Sequence, residues 1–225
     1  MNMKEFTLHK NFTKNVFGAG FTLIEALVAV AILTIAISGA FFSADRAFNA
    51  AEIARDQLIA SQLAQEGIEY VRMMRDDEYL AARQNGSSDP SSDGWNNFLA
   101  GDTSDPASIS RCRDSNACSL DPMLPMGSGS GLSLKLCSIA ASCSKLFRTT
   151  DGKYVTQDYI TSNSITGAMA TSFSRTIHIE RDSVSTPQNE GGIPYHDQRV
   201  VSTVSWSFHG VPYSVTITDH LTRWQ

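Results

Sequence analysis

The chain has 225 residues, of which 42% are apolar, and it carries 18 Lys and Arg against 23 Asp and Glu, for a formal net charge of −5. This acidic balance, without a basic stripe and interleaved aromatic side chains, argues against direct binding of nucleic acid.

Residues 1–20 form a polar segment before a long apolar run. Their side chains sum to +2, from Lys4, Lys10 and Lys14 against Glu5, and they end on Gly18-Ala19-Gly20. Lysines on the short N-terminal side favour leaving that side in the cytoplasm and the rest of the chain outside. Without this segment 205 residues remain, and the charge moves from −5 to −7.

Residues 21–42 read FTLIEALVAVAILTIAISGAFF, with Glu25 as the only charge. As a helix this run would be about 33 Å long, enough to cross a bilayer core. A carboxylate there costs roughly 2.5–3.5 kcal/mol on insertion scales, so Glu25 is a functional candidate. A secretory signal would instead be cleaved after the run, where Ala40 and Ala44 offer a weaker site. A plain membrane anchor with an incidental glutamate is a further alternative.

Gly20, followed by Phe21 and Glu25 at the start of the apolar helix, resembles the prepilin leader of type IV pilins and type II secretion pseudopilins. The resemblance implies cleavage between Gly20 and Phe21 by a prepilin peptidase and N-methylation of Phe21. It also implies that Glu25 faces the terminal amine of a neighbouring subunit during filament assembly. The implied partners are the peptidase, other pilin or pseudopilin subunits, the inner-membrane assembly platform and membrane lipid.

Residues 43–83 contain no proline and are rich in strong helix formers, so we expect the helix to continue to about Tyr79. Gly39 is its expected weak point within the membrane. Apolar side chains recur at three- and four-residue steps, which predicts a face packed on a head domain. The members of this stripe are Ala60, Leu63, Ala64, Gly67, Tyr70, Val71 and Met74; Asp56, Gln62, Glu66, Glu69 and Arg72 lie opposite.

Residues 84–151 are rich in Ser, Gly, Asp and Asn, which predicts loops and turns at GSSDPSSDG (86–94) and a flexible connector at GSGSG (127–131). All four cysteines fall here, as Cys112 with Cys118 and Cys137 with Cys143, five residues apart within each pair. That spacing exceeds the usual zinc spacing and no histidine accompanies it. We favour two local disulfides in an exported head, with free thiols next and metal last; four cysteines allow three pairings.

Residues 152–225 alternate apolar and polar positions around Ile177, Val204 and Val215, which is the signal of β-strands. The residues around Gly210 predict a hairpin between the last two strands. We therefore predict an α+β fold, with an antiparallel sheet of three or more strands packed on the helix stripe. This arrangement resembles the ladle-shaped pilin fold, and we expect Trp224 to pack under the sheet edge.

The sequence predicts neither enzymatic activity nor a cofactor or metal site. The five histidines are scattered: His9, His178, His196, His209 and His220. Asp89 with Asp93, and Asp182 with Glu190, could supply oxygen ligands for calcium but lack the spacing of a loop site.

The predicted function is a structural filament subunit. It would be a single-pass membrane protein with a cytoplasmic N-terminus and an extracytoplasmic head, later carried into an extracellular or periplasmic filament. The absence of a proline just past the apolar segment and the long cysteine-bearing head favour a minor pilin or pseudopilin. The alternative is a membrane-tethered adhesin or receptor that does not polymerise.

Overall fold

The structure is a computed structural model that describes residues 20, 22–100, 109–113, 116–126, 133–137, 144–181 and 197–223. The helices are α1 (Leu23–Gln84), α2 (Pro90–Ala100) and α3 (Gln157–Ser162), with a 3₁₀ turn at Ser110–Cys112. The strands are β1 (Cys118–Leu120), β2 (Leu134–Leu136), β3 (Lys145–Arg148), β4 (Tyr154–Val155), β5 (Met169–Arg181), β6 (Asp197–Phe208) and β7 (Val211–Thr222).

The chain divides into two compact units, Met1–Ala50 and Ala51–Gln225, called here the anchor unit and the head unit. The head unit holds an antiparallel seven-stranded sheet in which β5 pairs with β1, β3 and β6. Strand β6 also pairs with β7, while β1–β2 and β3–β4 form short additional pairs. The predicted α+β class, with a long N-terminal helix and an antiparallel sheet, is confirmed.

The apolar stripe predicted on the second half of α1 is buried in the head unit at all seven positions from Ala60 to Met74. Gly67 has a specific role in this packing. A Cβ at that position would lie 2.6 Å from both Ile177 Cδ1 and Ser202 Oγ, so the glycine allows the helix backbone to approach β5 and β6 closely.

Strand β6 alternates between the two faces of the sheet as its sequence predicts. Val200, Val204 and Trp206 are buried, whereas Arg199 and Ser205 are exposed. The inner face of the sheet packs on α1 and divides into two apolar clusters. The outer face carries hydroxyl side chains and charges instead.

The β6–β7 connection is the predicted hairpin, and its loop is two residues long. Phe208 lies opposite Val211, and the loop residues His209 and Gly210 have φ angles of 48° and 82°. Two consecutive positive φ angles are characteristic of the type I′ turn, whose twist matches that of the flanking strands. Pro212 is the second residue of β7. Among the described strands β7 pairs with β6 alone, so the missing N–H of Pro212 is tolerated at this edge.

A fully buried arginine joins α1 to the sheet. Arg175 on β5 has no exposed surface, and it donates to the carbonyls of Leu63 (3.0 Å) and Leu120 (2.9 Å) and to the carboxylate of Glu66. The side chain of Glu66 is 44% exposed. A second contact between α1 and the sheet is the ion pair of Arg72 with Asp219 on β7, at 2.9 Å. The hydrogen bond from Arg72 to Asp219 raises the pKa of Arg72.

The loop predicted over 86–94 is wrong from Pro90 onward, because α2 begins there. Gly86, at φ 78°, ends α1 in a left-handed cap in which Ser87 N–H donates to the Ala82 carbonyl (3.1 Å). Asp89 then caps α2, accepting from the Ser92 backbone N–H at 3.1 Å. Proline is well suited to the first helical position, where its missing N–H costs nothing. The predicted connector at 127–131 and Trp224 lie outside the described residues.

Candidate functional site

The described part of the anchor unit exposes a continuous apolar surface. Leu23 is 80% exposed, Ile35 73% and Phe41 72%, and the other large apolar side chains between them are exposed as well. This helix is long and apolar enough to cross a membrane. A helix that is apolar on all sides must be covered by lipid or by other protein, because water would leave its whole surface unfavourably hydrated.

The polar side chains within this surface form hydrogen bonds inside the helix. Thr34 Oγ1 donates to the Ala31 carbonyl (2.9 Å), and Ser38 Oγ donates to the Thr34 carbonyl (2.6 Å). These bonds satisfy the hydroxyl donors, which makes the residues compatible with a hydrocarbon environment. A Cβ at Gly39 would meet nothing within 4 Å, so nothing described in the subunit itself requires a glycine at that position.

The start of α1 is fixed by Thr22. Its Oγ1 accepts the Glu25 backbone N–H at 3.3 Å, and its carbonyl accepts the Ala26 N–H at 3.1 Å. Thr and Glu three residues apart have the spacing of a capping box, in which the glutamate would return a bond to the threonine N–H. The sequence Thr22-Leu23-Ile24-Glu25 contains this helix-start signal, which was not used to predict where the helix begins.

The carboxylate of Glu25 lies exposed in the first turn of α1 and has no hydrogen-bond or ion-pair partner among the described residues. The first turn of a helix favours a negative charge, because the unpaired N–H groups there carry a partial positive charge. The carboxylate is therefore held at a favourable position while its oxygens remain available to a cation. Gly20, the predicted cleavage residue, is exposed; Phe21 lies outside the described residues.

The predicted cysteine pairs lie in the head unit. Cys112 and Cys118 form a disulfide with a Cα–Cα distance of 5.4 Å, and both residues are fully buried in the larger apolar cluster. Cys137 is also disulfide-bonded. Cys143 lies outside the described residues.

The acidic residues considered as calcium ligands have structural partners where they are described. Asp89 caps α2, and Asp93 accepts a hydrogen bond from Ser87 Oγ at 2.6 Å. Within the described ranges no three His, Cys, Asp or Glu side chains come together as a metal site. Asp182 and Glu190 lie outside those ranges.

The histidines reveal no catalytic grouping in the described part of the chain. His178 on β5 contacts the Asn116 carbonyl at 2.9 Å through Nδ1, and His220 on β7 lies 3.2 Å from Asp197. His209 occupies the β6–β7 turn. His9 and His196 lie outside the described residues.

Comparison with known families gives a match over the N-terminal segment. Residues 19–41 match the prokaryotic N-terminal methylation motif. These 23 of the 225 residues include Gly20, Glu25 and most of the exposed apolar helix. No curated protein and no solved structure gave a significant match to the chain. The N-terminal segment is therefore similar to that of type IV pilin-like proteins, and its long apolar helix fits a single-pass membrane anchor.

Proposed function

We propose that this protein is the precursor of a filament subunit, a minor pilin or pseudopilin, whose N-terminal segment is processed before assembly. The observation that carries the proposal is the coincidence of three features within residues 19–41. These features are the methylation motif, the exposed apolar surface of α1 and the carboxylate of Glu25, which has no partner among the described residues.

In the proposed reaction a prepilin peptidase hydrolyses the peptide bond between Gly20 and Phe21. Hydrolysis creates an amine at Phe21, which is then N-methylated and keeps its positive charge. Since α1 begins at Leu23, the new terminus precedes the first helical residue by two positions in the sequence. The apolar surface stays on the mature chain and anchors it in the bilayer until assembly.

In the filament the apolar surface of α1 exchanges lipid for the corresponding helices of neighbouring subunits, with the assembly platform and other pilin-like subunits as partners. Glu25 faces the methylated amine of a neighbour. A buried carboxylate is tolerated when it is paired and is costly when it is not, so this ion pair would set the axial stagger between subunits. The head unit lies outside the cytoplasm, where its disulfides would persist.

The test is mass spectrometry of the N-terminal peptide from membrane-extracted protein, made in its own host with and without the prepilin peptidase. We expect a terminus at methyl-Phe21 in the first strain and an unprocessed terminus in the second. The Gly20→Val variant should remain unprocessed in both. Unprocessed protein in the strain that contains the peptidase would instead favour a tethered adhesin or receptor, and a terminus near Ala44 would indicate a secreted head.

A further inference from the structure

The apolar run of α1 ends at three phenylalanine side chains and one arginine. Residues 26–44 are uncharged, and Asp45 and Arg46 are the first charged residues after them. The guanidinium of Arg46 lies 4.5 Å from the ring centroid of Phe42, one helical turn before it. Phe41, Phe42 and Phe48 are 72%, 60% and 75% exposed. We call Phe41, Phe42, Arg46 and Phe48 the collar.

The position of the collar along the helix matches the thickness of a bilayer. From Leu23 to Phe42 the helix rises about 29 Å, close to the thickness of about 30 Å of the hydrocarbon core. Arg46 lies about 6 Å further along the axis, at the level of the headgroups. If the helix starts at one face of the hydrocarbon, the collar therefore reaches the other face.

The geometry of the side chains fits the same place. Helical side chains lean toward the N-terminus, so Arg46 extends back over the turn that contains Phe42, as the ring contact shows. In an anchored subunit the guanidinium would thus be held near the boundary between hydrocarbon and headgroups. Aromatic rings are favoured at this boundary, and a guanidinium binds phosphate through paired hydrogen bonds.

We propose that the collar binds the phospholipid headgroup layer, with Arg46 donating to lipid phosphate, and so fixes the depth of the anchored subunit. This inference rests on the proposed membrane anchoring of α1. We favour a phospholipid over a protein partner because of where the collar lies along the helix. Its phenylalanine rings and its arginine lie at the depth where a bilayer changes from hydrocarbon to phosphate.

The experiment measures depth in phosphatidylcholine–phosphatidylglycerol vesicles that contain the full-length protein. A small fluorescent amino acid is placed at position 43, beside the collar but not part of it, or, as a reference, at position 33. It is quenched by lipids that carry nitroxides at different depths. We expect deep nitroxides to quench position 33 best. Shallow nitroxides should quench position 43 best, because it lies about 15 Å further along the helix.

The role of Arg46 is tested in the protein that carries the probe at position 43. Arg46→Lys keeps a cation and should leave the quenching profile unchanged, whereas Arg46→Glu should move position 43 away from the phosphates. Deep quenching at position 43, or an unchanged profile in Arg46→Glu, would refute the collar while leaving anchoring intact. Quenching that changes with the protein-to-lipid ratio would assign the collar to neighbouring subunits and also refute it. Absence of quenching at position 33 would refute the anchoring itself.

Discussion

Replacing Arg175 by methionine should destabilise the head unit by about 3 kcal/mol. The variant keeps most of the side-chain volume but removes hydrogen bonds to the Leu63 and Leu120 carbonyls and the ion pair with Glu66. Each hydrogen bond from a charged group is worth about 1.5–3 kcal/mol, and a buried carbonyl left unpaired costs about 1–3 kcal/mol. Leu63 lies within α1, where the helix supplies another donor, so the loss at Leu120 dominates the estimate.

The matched control is Glu66→Gln. The side chain of Glu66 is 44% exposed, so its share of the ion pair is screened by water, and the amide oxygen can still accept from Arg175. We expect this variant to lose less than about 1 kcal/mol. The assay is denaturant unfolding of the full-length protein in detergent, followed through tryptophan fluorescence, since Trp95 and Trp206 are both buried in the head unit.

Comparing the two variants shows whether the hydrogen bonds to the carbonyls or the ion pair with Glu66 stabilises the packing of α1 on the sheet. If Arg175→Met unfolds within about 0.5 kcal/mol of the wild type with an unchanged denaturant slope, the hydrogen bonds to the carbonyls do not hold α1 on the sheet. If Glu66→Gln costs as much as Arg175→Met, the ion pair dominates and the reasoning from carbonyl acceptors is wrong.

Three further predictions concern α2, its cap and the anchor unit. Gly94→Ala should lower the free energy of unfolding in the same assay by roughly 1–3 kcal/mol, because a Cβ there would lie 2.7 Å from the Cα of Tyr79. An unchanged or higher free energy of unfolding would show that α2 can move off α1 without cost. The hydrogen bond from Ser92 holds the pKa of the Asp89 carboxyl below its ordinary value. The ionised carboxylate of Asp89 therefore contributes fully to stability above about pH 4, and this contribution is lost as the pH falls further and the carboxylate is protonated. Unfolding midpoints measured between about pH 5 and pH 2 should therefore fall less steeply in Asp89→Asn than in the wild type, and parallel curves would contradict this. Finally, Glu25→Ala should insert into membranes but fail to enter filaments or enter them out of register, as measured by membrane flotation and by immunoblots of sheared filaments, and normal incorporation would exclude the proposed ion pair.

The sequence predicted those parts of the fold that have a clear periodicity or turn chemistry. The stripe from Ala60 to Met74 repeats at helical steps, and the long strands β5, β6 and β7 alternate over 12 or 13 residues each. Gly210 marked the hairpin. Strands β1 to β4 are only two to four residues long, too short for alternation to be distinguished from chance.

Two other features were missed for different reasons. Helix α2 was obscured by its Ser- and Asp-rich start, where the same residue types serve both turns and helix caps; Asp89 followed by Pro90 was in fact a helix-start signal. Arg175 could not be predicted from its surroundings in the sequence, because its partner Glu66 is 109 residues away and an arginine in an alternating strand is usually exposed. The motif around Gly20 and Glu25 could be recognised from the sequence because its residues lie within six consecutive positions.

The alternation along β6 also protects the protein from mispairing. A slip of one residue against β5 or β7 would turn Trp206 and Val204 to the solvent and place Arg199 and Ser205 against α1. No partly correct arrangement lies between these two states, since every side chain of the strand would change face at once. The two-residue loop at His209–Gly210 opposes the same error from one end of the hairpin. The head can therefore admit point substitutions on its outer face more readily than the insertion of a single residue within β6.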